Sequence, residues 1–232
     1  MSLRRLNDAA GAENIIVTDK GTVVVRQVSG ETIRMGLPEW TADYEGVARP
    51  LGVVALPQAD AMQGAAAGTR QLSEVLHGCG FATLVFDMQL PGDGNDLDRL
   101  SRRIVDVLGW LRERHAGMEV GVFGTRLVAS AALQAVAQRP GIATALVMRS
   151  ASPALVSANL ADVQAATLLI VGDDDAQLLQ SSRAALRVLT CTKRLEVVPG
   201  AGQSTDERGV RETVAHLAGA WFKRHLTAGR LQ

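Results

Sequence analysis

Six apolar runs with helical stretches between them constrain the fold of this chain more than any other feature of the sequence. Several of the runs are continuously apolar, as expected of strands that are covered on both faces of a sheet. Strands that alternate with helices favour a mainly parallel, doubly wound sheet of the α/β class. The candidate strands span residues 51–56, 82–86, 119–123, 143–148, 167–171 and 195–198.

Two of the intervening segments carry a clear helical stripe. Their apolar side chains recur at three- and four-residue steps, the spacing that places them on one face of a helix. Asp96 and Asp206 are predicted to cap the N-termini of these two helices. The stripes consist of Leu97, Leu100, Ile104, Val107 and Leu111 in the first segment and of Val210, Val214, Leu217 and Trp221 in the second.

The N-terminal segment has a β-rich pattern instead. Apolar runs at residues 15–17 and 22–25 flank a turn at residues 19–21, which predicts a hairpin. Residues 31–36 form a candidate third strand, and the polar stretch 41–49 is predicted to be a surface loop. These strands are expected to form an antiparallel edge on the parallel sheet.

The length of the chain suits one large α/β domain. It has 232 residues, with no internal repeat and no interdomain linker. We therefore expect a single domain over residues 1–232, made of an N-terminal β-hairpin region at 14–40 and a core at 51–226.

The composition argues against several classes of protein. The 24 Lys and Arg residues balance 24 Asp and Glu residues, whereas nucleic-acid binders usually carry a basic surplus. No apolar stretch approaches the roughly 18 residues of a membrane span, and the N-terminus lacks the apolar core of a signal peptide. The sequence therefore predicts a cytoplasmic protein that binds neither nucleic acid nor membrane. Cys79 and Cys191 are too few for a disulfide framework.

The turn at residues 124–128 is the most informative local feature. It follows the apolar run that ends at Phe123 and precedes a small-residue helix predicted at residues 128–137. A strand, a glycine turn and a helix in this order form the frame of the G-x-Ser-x-G motif, whose serine is a nucleophile. Arg126 stands at the serine position. A guanidinium only donates hydrogen bonds and stays protonated, so it cannot attack a carbonyl.

Further stretches form a recognisable set with this turn, at residues 80–87, 120–124, 167–172, 193–201 and 221–226. Together they resemble the dienelactone-hydrolase-like branch of the α/β-hydrolase superfamily. The resemblance covers most of the chain. It implies an α/β-hydrolase fold, with a nucleophile, an acid and a histidine at the carboxyl ends of the strands.

The resemblance assigns four features of the active site to positions in this chain, and three of them carry other residue types. The nucleophile position is Arg126, and Gln203 stands where the histidine is expected. The His-Gly pair that many relatives have near the oxyanion hole is Gln58-Ala59. Only the acid is retained, as Asp175, with Asp174 as a second candidate. A triad needs an imidazole to take and return the proton of the nucleophile, so the sequence predicts a degenerate triad.

Other residues could replace the missing groups, but their positions favour ordinary roles. None of the four histidines lies in the loop after the last strand, and all are expected to be surface residues. The hydroxyl residues near the strand ends are expected to serve in turns and caps. The histidines are His77, His115, His216 and His225, and the hydroxyl residues are Thr125, Ser130, Ser150, Ser152 and Ser204.

Arg126 has three interpretations. At the start of a helix it would strengthen an anion site, able to bind a carboxylate or phosphate bidentately. It could instead pair with Asp175 or Asp174 and fill the pocket from within, or turn out to solvent. Arg149 could help to bind an anion or could brace loops. The ligand-binding residues predicted on the first interpretation are Gln58, Arg126, Leu127, Arg149 and Asp174.

No cofactor and no metal are predicted. The chain has neither a GxGxxG motif after a strand nor a GxxxxGK motif, and the acidic run at 173–175 lacks flanking ligands at matching spacing. The predicted function is that of a pseudoenzyme, which binds a small anionic molecule or a protein partner and could form a homodimer. The alternative is a dienelactone-hydrolase-like ester or lactone hydrolase that works through Thr125 or a loop serine.

Overall fold

The computed structural model of the chain describes residues 5–7, 13–18, 21–28, 30–37, 40–45, 50–58, 63–88, 96–156, 158–200 and 208–226. Within them, eleven strands form one sheet. The strands are β1 (Arg5–Asn7), β2 (Glu13–Thr18), β3 (Gly21–Val28), β4 (Gly30–Leu37), β5 (Trp40–Glu45), β6 (Gly52–Gln58), β7 (Ala82–Asp87), β8 (Glu119–Thr125), β9 (Ala145–Arg149), β10 (Ala166–Gly172) and β11 (Lys193–Val198).

The sheet has a parallel part and an antiparallel part. Its strand order is β1-β2-β3-β4-β5-β7-β6-β8-β9-β10-β11. All neighbours from β7 to β11 in this order are parallel, whereas β1 to β5 form an antiparallel meander that joins the core where β5 pairs with β7. The predicted doubly wound, mainly parallel α/β fold with an antiparallel N-terminal edge is confirmed, as is the hairpin between β2 and β3.

The prediction of a surface loop is wrong for residues 41–45, because β5 occupies Trp40–Glu45, and residues 46–49 lie outside the described residues. Ala42 and Tyr44 are buried, with relative exposures of 4% and 6%, and they lie opposite Phe86 and Leu84 of β7. These two apolar residues alternate with polar ones. A strand with so few inward-facing apolar side chains gives a weak sequence signal.

Within the described residues, five α-helices cover the two faces of the sheet, and their first and last turns position the site. They are α1 (Gln63–Gly78), α2 (Leu97–Arg114), α3 (Arg126–Gln138), α4 (Ala176–Val188) and α5 (Arg208–Leu226). Helices α2 and α3 pack on one face, and α1 and α5 pack together on the other. The side chain of Asp96 accepts hydrogen bonds from the first turn of α2, which confirms the predicted cap. Asp206 lies outside the described residues.

The core of the sheet is aliphatic, and one glycine sets the distance between a helix and the sheet. Every residue of β10 is buried, as are six of the seven residues of β6. A Cβ at Gly121 would lie 2.6 Å from the ring of Phe222, so glycine lets α5 lie directly on β8. None of the helices described has the length and apolar character that a membrane crossing requires.

Candidate functional site

Arg126 lies at the tip of a sharp turn between β8 and α3. Its φ is 53°, in the left-handed region, where a non-glycine residue costs on the order of 1–3 kcal/mol. Gly124 makes the turn possible, because a Cβ at this position would lie 2.8 Å from the Cα of Ala129. The strand, glycine turn and helix expected from the sequence are therefore present, with Arg126 in the strained position.

The guanidinium of Arg126 is not neutralised by the carboxylates expected to pair with it. The residue is exposed, and no described acidic residue forms an ion pair with it. Asp175 instead caps α4, where its carboxylate accepts a hydrogen bond of 2.8 Å from the backbone N–H of Leu178. Asp174 is exposed after the end of β10. Within the described residues, the interpretation of a pocket filled by an Arg126–Asp175 or Arg126–Asp174 pair is wrong.

A second left-handed turn stands beside the first. Thr125 and Arg149 are paired across the parallel strands β8 and β9, so Arg126 and Ser150 follow them at adjacent strand ends. Ser150 has a φ of 50°. Left-handed residues other than glycine are uncommon and cluster at functional sites. Two of them in adjacent turns therefore indicate that this edge of the sheet is the candidate functional site.

Ser130 ties the two turns together. Its hydroxyl is fully buried and accepts a hydrogen bond of 3.0 Å from the backbone N–H of Ser152. The same hydroxyl lies 3.3 Å from the backbone oxygens of Arg126 and of Ser152. Ser130 thus has a structural role and joins the first turn of α3 to the loop after β9.

Three arginines converge at this edge. Arg149, the last residue of β9, is buried with 7% relative exposure. Burial is the main cause that lowers the pKa of Arg149, and the charges of Arg126 and Arg211 lower the pKa further. Arg211 lies in the first turns of α5, and its Cδ would be 3.5 Å from a Cβ at Gly68 of α1. Arg126 and Arg211 therefore lie close enough to Arg149 for their charges to act on it.

Arg211 is not among the site residues predicted from the sequence. Its position carries a signal nonetheless, because α5 follows β11 and packs back along the sheet, which puts its first turns at the carboxyl edge of the strands. A basic residue in those turns belongs to the same edge as Arg149.

Leu127, which was also predicted to bind the ligand, follows Arg126 in the first turn of α3 and is partly buried.

Gln58 is held at the end of β6. Its Oε1 accepts a hydrogen bond of 2.8 Å from the hydroxyl of Thr69 in α1, and its Nε2 lies 3.2 Å from the backbone oxygen of Pro57. Both ends of the amide therefore have partners within the protein. Ala59 and Gln203 lie outside the described residues.

The four histidines lie in helices or next to their ends. His77 makes a 2.9 Å contact with the hydroxyl of Thr83 at the start of β7. His115 follows α2 directly before β8, and His225 lies in the last turn of α5. His216 is exposed in the middle of α5, and the other three are partly buried. The loops that follow the parallel strands contain no histidine.

The remaining reactive groups are few. Thr125 is exposed, and its hydroxyl makes no capping hydrogen bond to α3. Ser204 lies outside the described residues, and Cys79 and Cys191 are free thiols. The described part of the chain holds no group of three or more His, Cys, Asp or Glu residues arranged to bind a metal.

Comparison with known proteins places this geometry in a family. The crystal structure of a dienelactone hydrolase from Anabaena variabilis matches with a TM-score of 0.74 and 30% identity, over 81% of this chain and 92% of that protein. This chain belongs to the dienelactone-hydrolase-like branch of the α/β-hydrolase superfamily. A cold-adapted esterase from an Arctic intertidal metagenomic library shares the fold, with a TM-score of 0.67 and 16% identity over 87% of this chain and 96% of the esterase. No protein-family model matches the chain.

Two curated relatives are longer than this chain. They are Mycobacterium tuberculosis proteins with the provisional name phosphoribosyl transferase, and they are 38% identical to this chain over 186 residues. The match covers 77% of this chain and 42% of each relative. The chain therefore spans about two fifths of the length of these relatives, and more than half of each relative lies outside the shared region.

Proposed function

We propose that this chain is a non-hydrolytic member of its family, a pseudoenzyme whose strand-end site binds a small anionic ligand. The observation that carries the proposal is the position of Arg126, at the left-handed tip of the turn between β8 and α3. The family resemblance puts the nucleophile at this tip. A permanent cation there removes the attacking group and adds a binding group.

The loss of hydrolysis follows from the chemistry of two positions. Arg126 neither attacks a carbonyl nor accepts a proton, and Gln203 does not titrate. Removing the nucleophile or the base of a triad costs most of its catalysis, although about 10³-fold over water can persist through binding and an oxyanion hole. The four histidines of the chain supply no replacement base in the loops after the strands.

The gain of anion binding follows from the charges at the same edge. The first backbone N–H groups of α3 and the helix dipole favour negative charge, and Arg126 and Arg149 lie beside them. Guanidinium groups bind carboxylates and phosphates through paired hydrogen bonds. We infer a ligand with a carboxylate or phosphate group, carried by a free small molecule or by an acidic side chain of a protein partner.

The alternative function is ester or lactone hydrolysis through Thr125. The observation in its favour is that the hydroxyl of Thr125 is exposed and free of a capping hydrogen bond. A threonine hydroxyl still needs a base to take its proton, and the loops after the strands contain no histidine for that task. The non-hydrolytic proposal is therefore preferred.

Hydrolysis of p-nitrophenyl acetate distinguishes the two functions. We expect the wild-type protein and the Thr125→Val variant to release p-nitrophenol at the same rate, close to that of buffer. The double variant Arg126→Ser/Gln203→His restores a nucleophile and an imidazole, and Arg126→Ser alone is its matched control. Wild-type turnover well above buffer that is lost in Thr125→Val would refute the proposal and support the alternative.

A further inference from the structure

The outer edge of β11 is open in the described structure. Strand β11 is the last in the sheet order and pairs only with β10. The backbone N–H of Thr167 donates a hydrogen bond to the oxygen of Thr192 across 2.8 Å, and parallel bonding then alternates along the strand. Lys193, Leu195 and Val197 therefore direct their backbone N–H and C=O groups away from β10.

The side chains of this edge are self-complementary. Arg194 and Glu196 lie on one face of β11, one residue to each side of Leu195, and form an ion pair within the strand. If two copies of β11 pair in antiparallel fashion with Leu195 opposite Leu195, each Arg194 lies opposite Glu196 of the other copy. Leu195 then exchanges both of its outward hydrogen bonds with its counterpart, and the four charged groups form a closed network.

The charges also select the direction of pairing. Edge strands commonly carry charged residues that discourage pairing with other strands. Here a parallel, in-register partner would bring Arg194 beside Arg194 and Glu196 beside Glu196, which is unfavourable. Antiparallel pairing converts the same charges into opposite-sign neighbours. The pattern therefore suits a second copy of this chain related by a two-fold axis.

Two exposed apolar side chains lie on β11 and on the helix that packs against it. Val188 and Val197 are the large apolar residues with the highest exposure among those described, at 48% and 42%. Val197 lies on β11, and Val188 ends α4, which packs against β11. Pairing of two β11 strands would cover part of the exposed side chain of Val197, which lies on β11 itself.

We propose that two copies of this chain associate through antiparallel pairing of their β11 strands, with the two-fold axis at Leu195. The pairing continues the sheet from one copy into the other. It uses the far edge of β11 and none of the three convergent arginines, so it is independent of the proposed anion binding. A short strand edge buries little area, which predicts a reversible dimer at the weak end of specific interfaces.

Analytical ultracentrifugation over a wide range of protein concentration tests the dimer. We expect the wild-type protein to shift from monomer to dimer as the concentration rises. Arg194→Glu should raise the dissociation constant about tenfold, since two opposite-charge pairs become like-charge pairs. The double variant Arg194→Glu/Glu196→Arg restores the pairing and should dimerise again, whereas Arg70→Glu, at an exposed position of α1, should dimerise as the wild type does.

A backbone variant tests the strand contact itself. Leu195→Pro removes an N–H that faces away from β10, and proline is tolerated on sheet edges. We expect this variant to be monomeric with an unchanged far-ultraviolet circular dichroism spectrum. A wild-type protein that stays monomeric at every concentration would overturn the proposal. So would a dimer that survives in Arg194→Glu with undiminished affinity, a result that remains available if Leu195→Pro fails to fold.

Discussion

The carboxylate of Asp175 accepts a hydrogen bond of 2.8 Å from the backbone N–H of Leu178 at the start of α4. The family resemblance assigns the acid of the triad to this position, and the structure gives it the role of a helix cap. Replacing an N-cap aspartate by alanine typically costs about 1 kcal/mol. We expect Asp175→Ala to lower the free energy of unfolding by that amount in urea denaturation, while Asp175→Asn retains most of the stability. Asp174→Ala, at an exposed neighbouring position, is the control and should be near neutral.

Gly124 is expected to tolerate no side chain. A Cβ there would lie 2.8 Å from the Cα and 3.0 Å from the backbone nitrogen of Ala129, so the backbone of α3 would have to move. Overpacking of this kind costs about 1–3 kcal/mol. Gly109 lies inside α2 with nothing within 4 Å of its Cβ position, so Gly109→Ala should stabilise by roughly 0.5–1 kcal/mol. Equal effects of Gly124→Ala and Gly109→Ala on the melting temperature would contradict the close approach at Gly124.

Arg126→Gly should stabilise the fold while it weakens the site. Glycine adopts a positive φ without the penalty of about 1–2 kcal/mol that a side chain incurs, although it gains entropy in the unfolded chain. A net increase in stability of a few tenths to about 1 kcal/mol is expected from these opposing terms. Arg102→Gly, in the interior of α2, should instead lower the free energy of unfolding by about 1 kcal/mol. Chemical denaturation measures both, and destabilisation by Arg126→Gly would show that the arginine side chain stabilises the turn.

Acid should destabilise the protein through His115. Burial lowers the pKa of His115 below its ordinary value of 6.5, and the charge of Arg114 lowers it further. The unfolded chain therefore binds a proton near this pH that the folded chain does not, so stability falls as the pH drops below about 6.5. The ring stacks on Tyr44 with 5.2 Å between centroids. His115→Gln should reduce the pH dependence of the free energy of unfolding between pH 7 and pH 5 (roughly the range in which an ordinary histidine titrates), compared with the wild-type protein in urea denaturation.

The parallel strands could be predicted from the sequence because they are buried on both faces and read as continuous apolar runs. Strand β5 could not, since its buried residues Ala42 and Tyr44 alternate with polar ones. The turn at Arg126 was predicted from the glycine and the small residues that its close packing requires. Of the three interpretations of Arg126, the one that pairs it with Asp175 is wrong, because a strand-end aspartate has a local alternative, the free N–H groups of the next helix.

Isothermal titration calorimetry with inorganic phosphate and with acetate, in separate titrations, tests the central claim most directly. The wild-type protein is predicted to bind at least one of these anions. Arg126→Gln should weaken that binding at least about tenfold, since a hydrogen bond to a charged group contributes about 1.5–3 kcal/mol. Arg114→Gln removes an exposed arginine at the end of α2 and should leave the binding unchanged. Equal affinities of the wild-type protein and Arg126→Gln, or no heat of binding with either anion, would contradict the account.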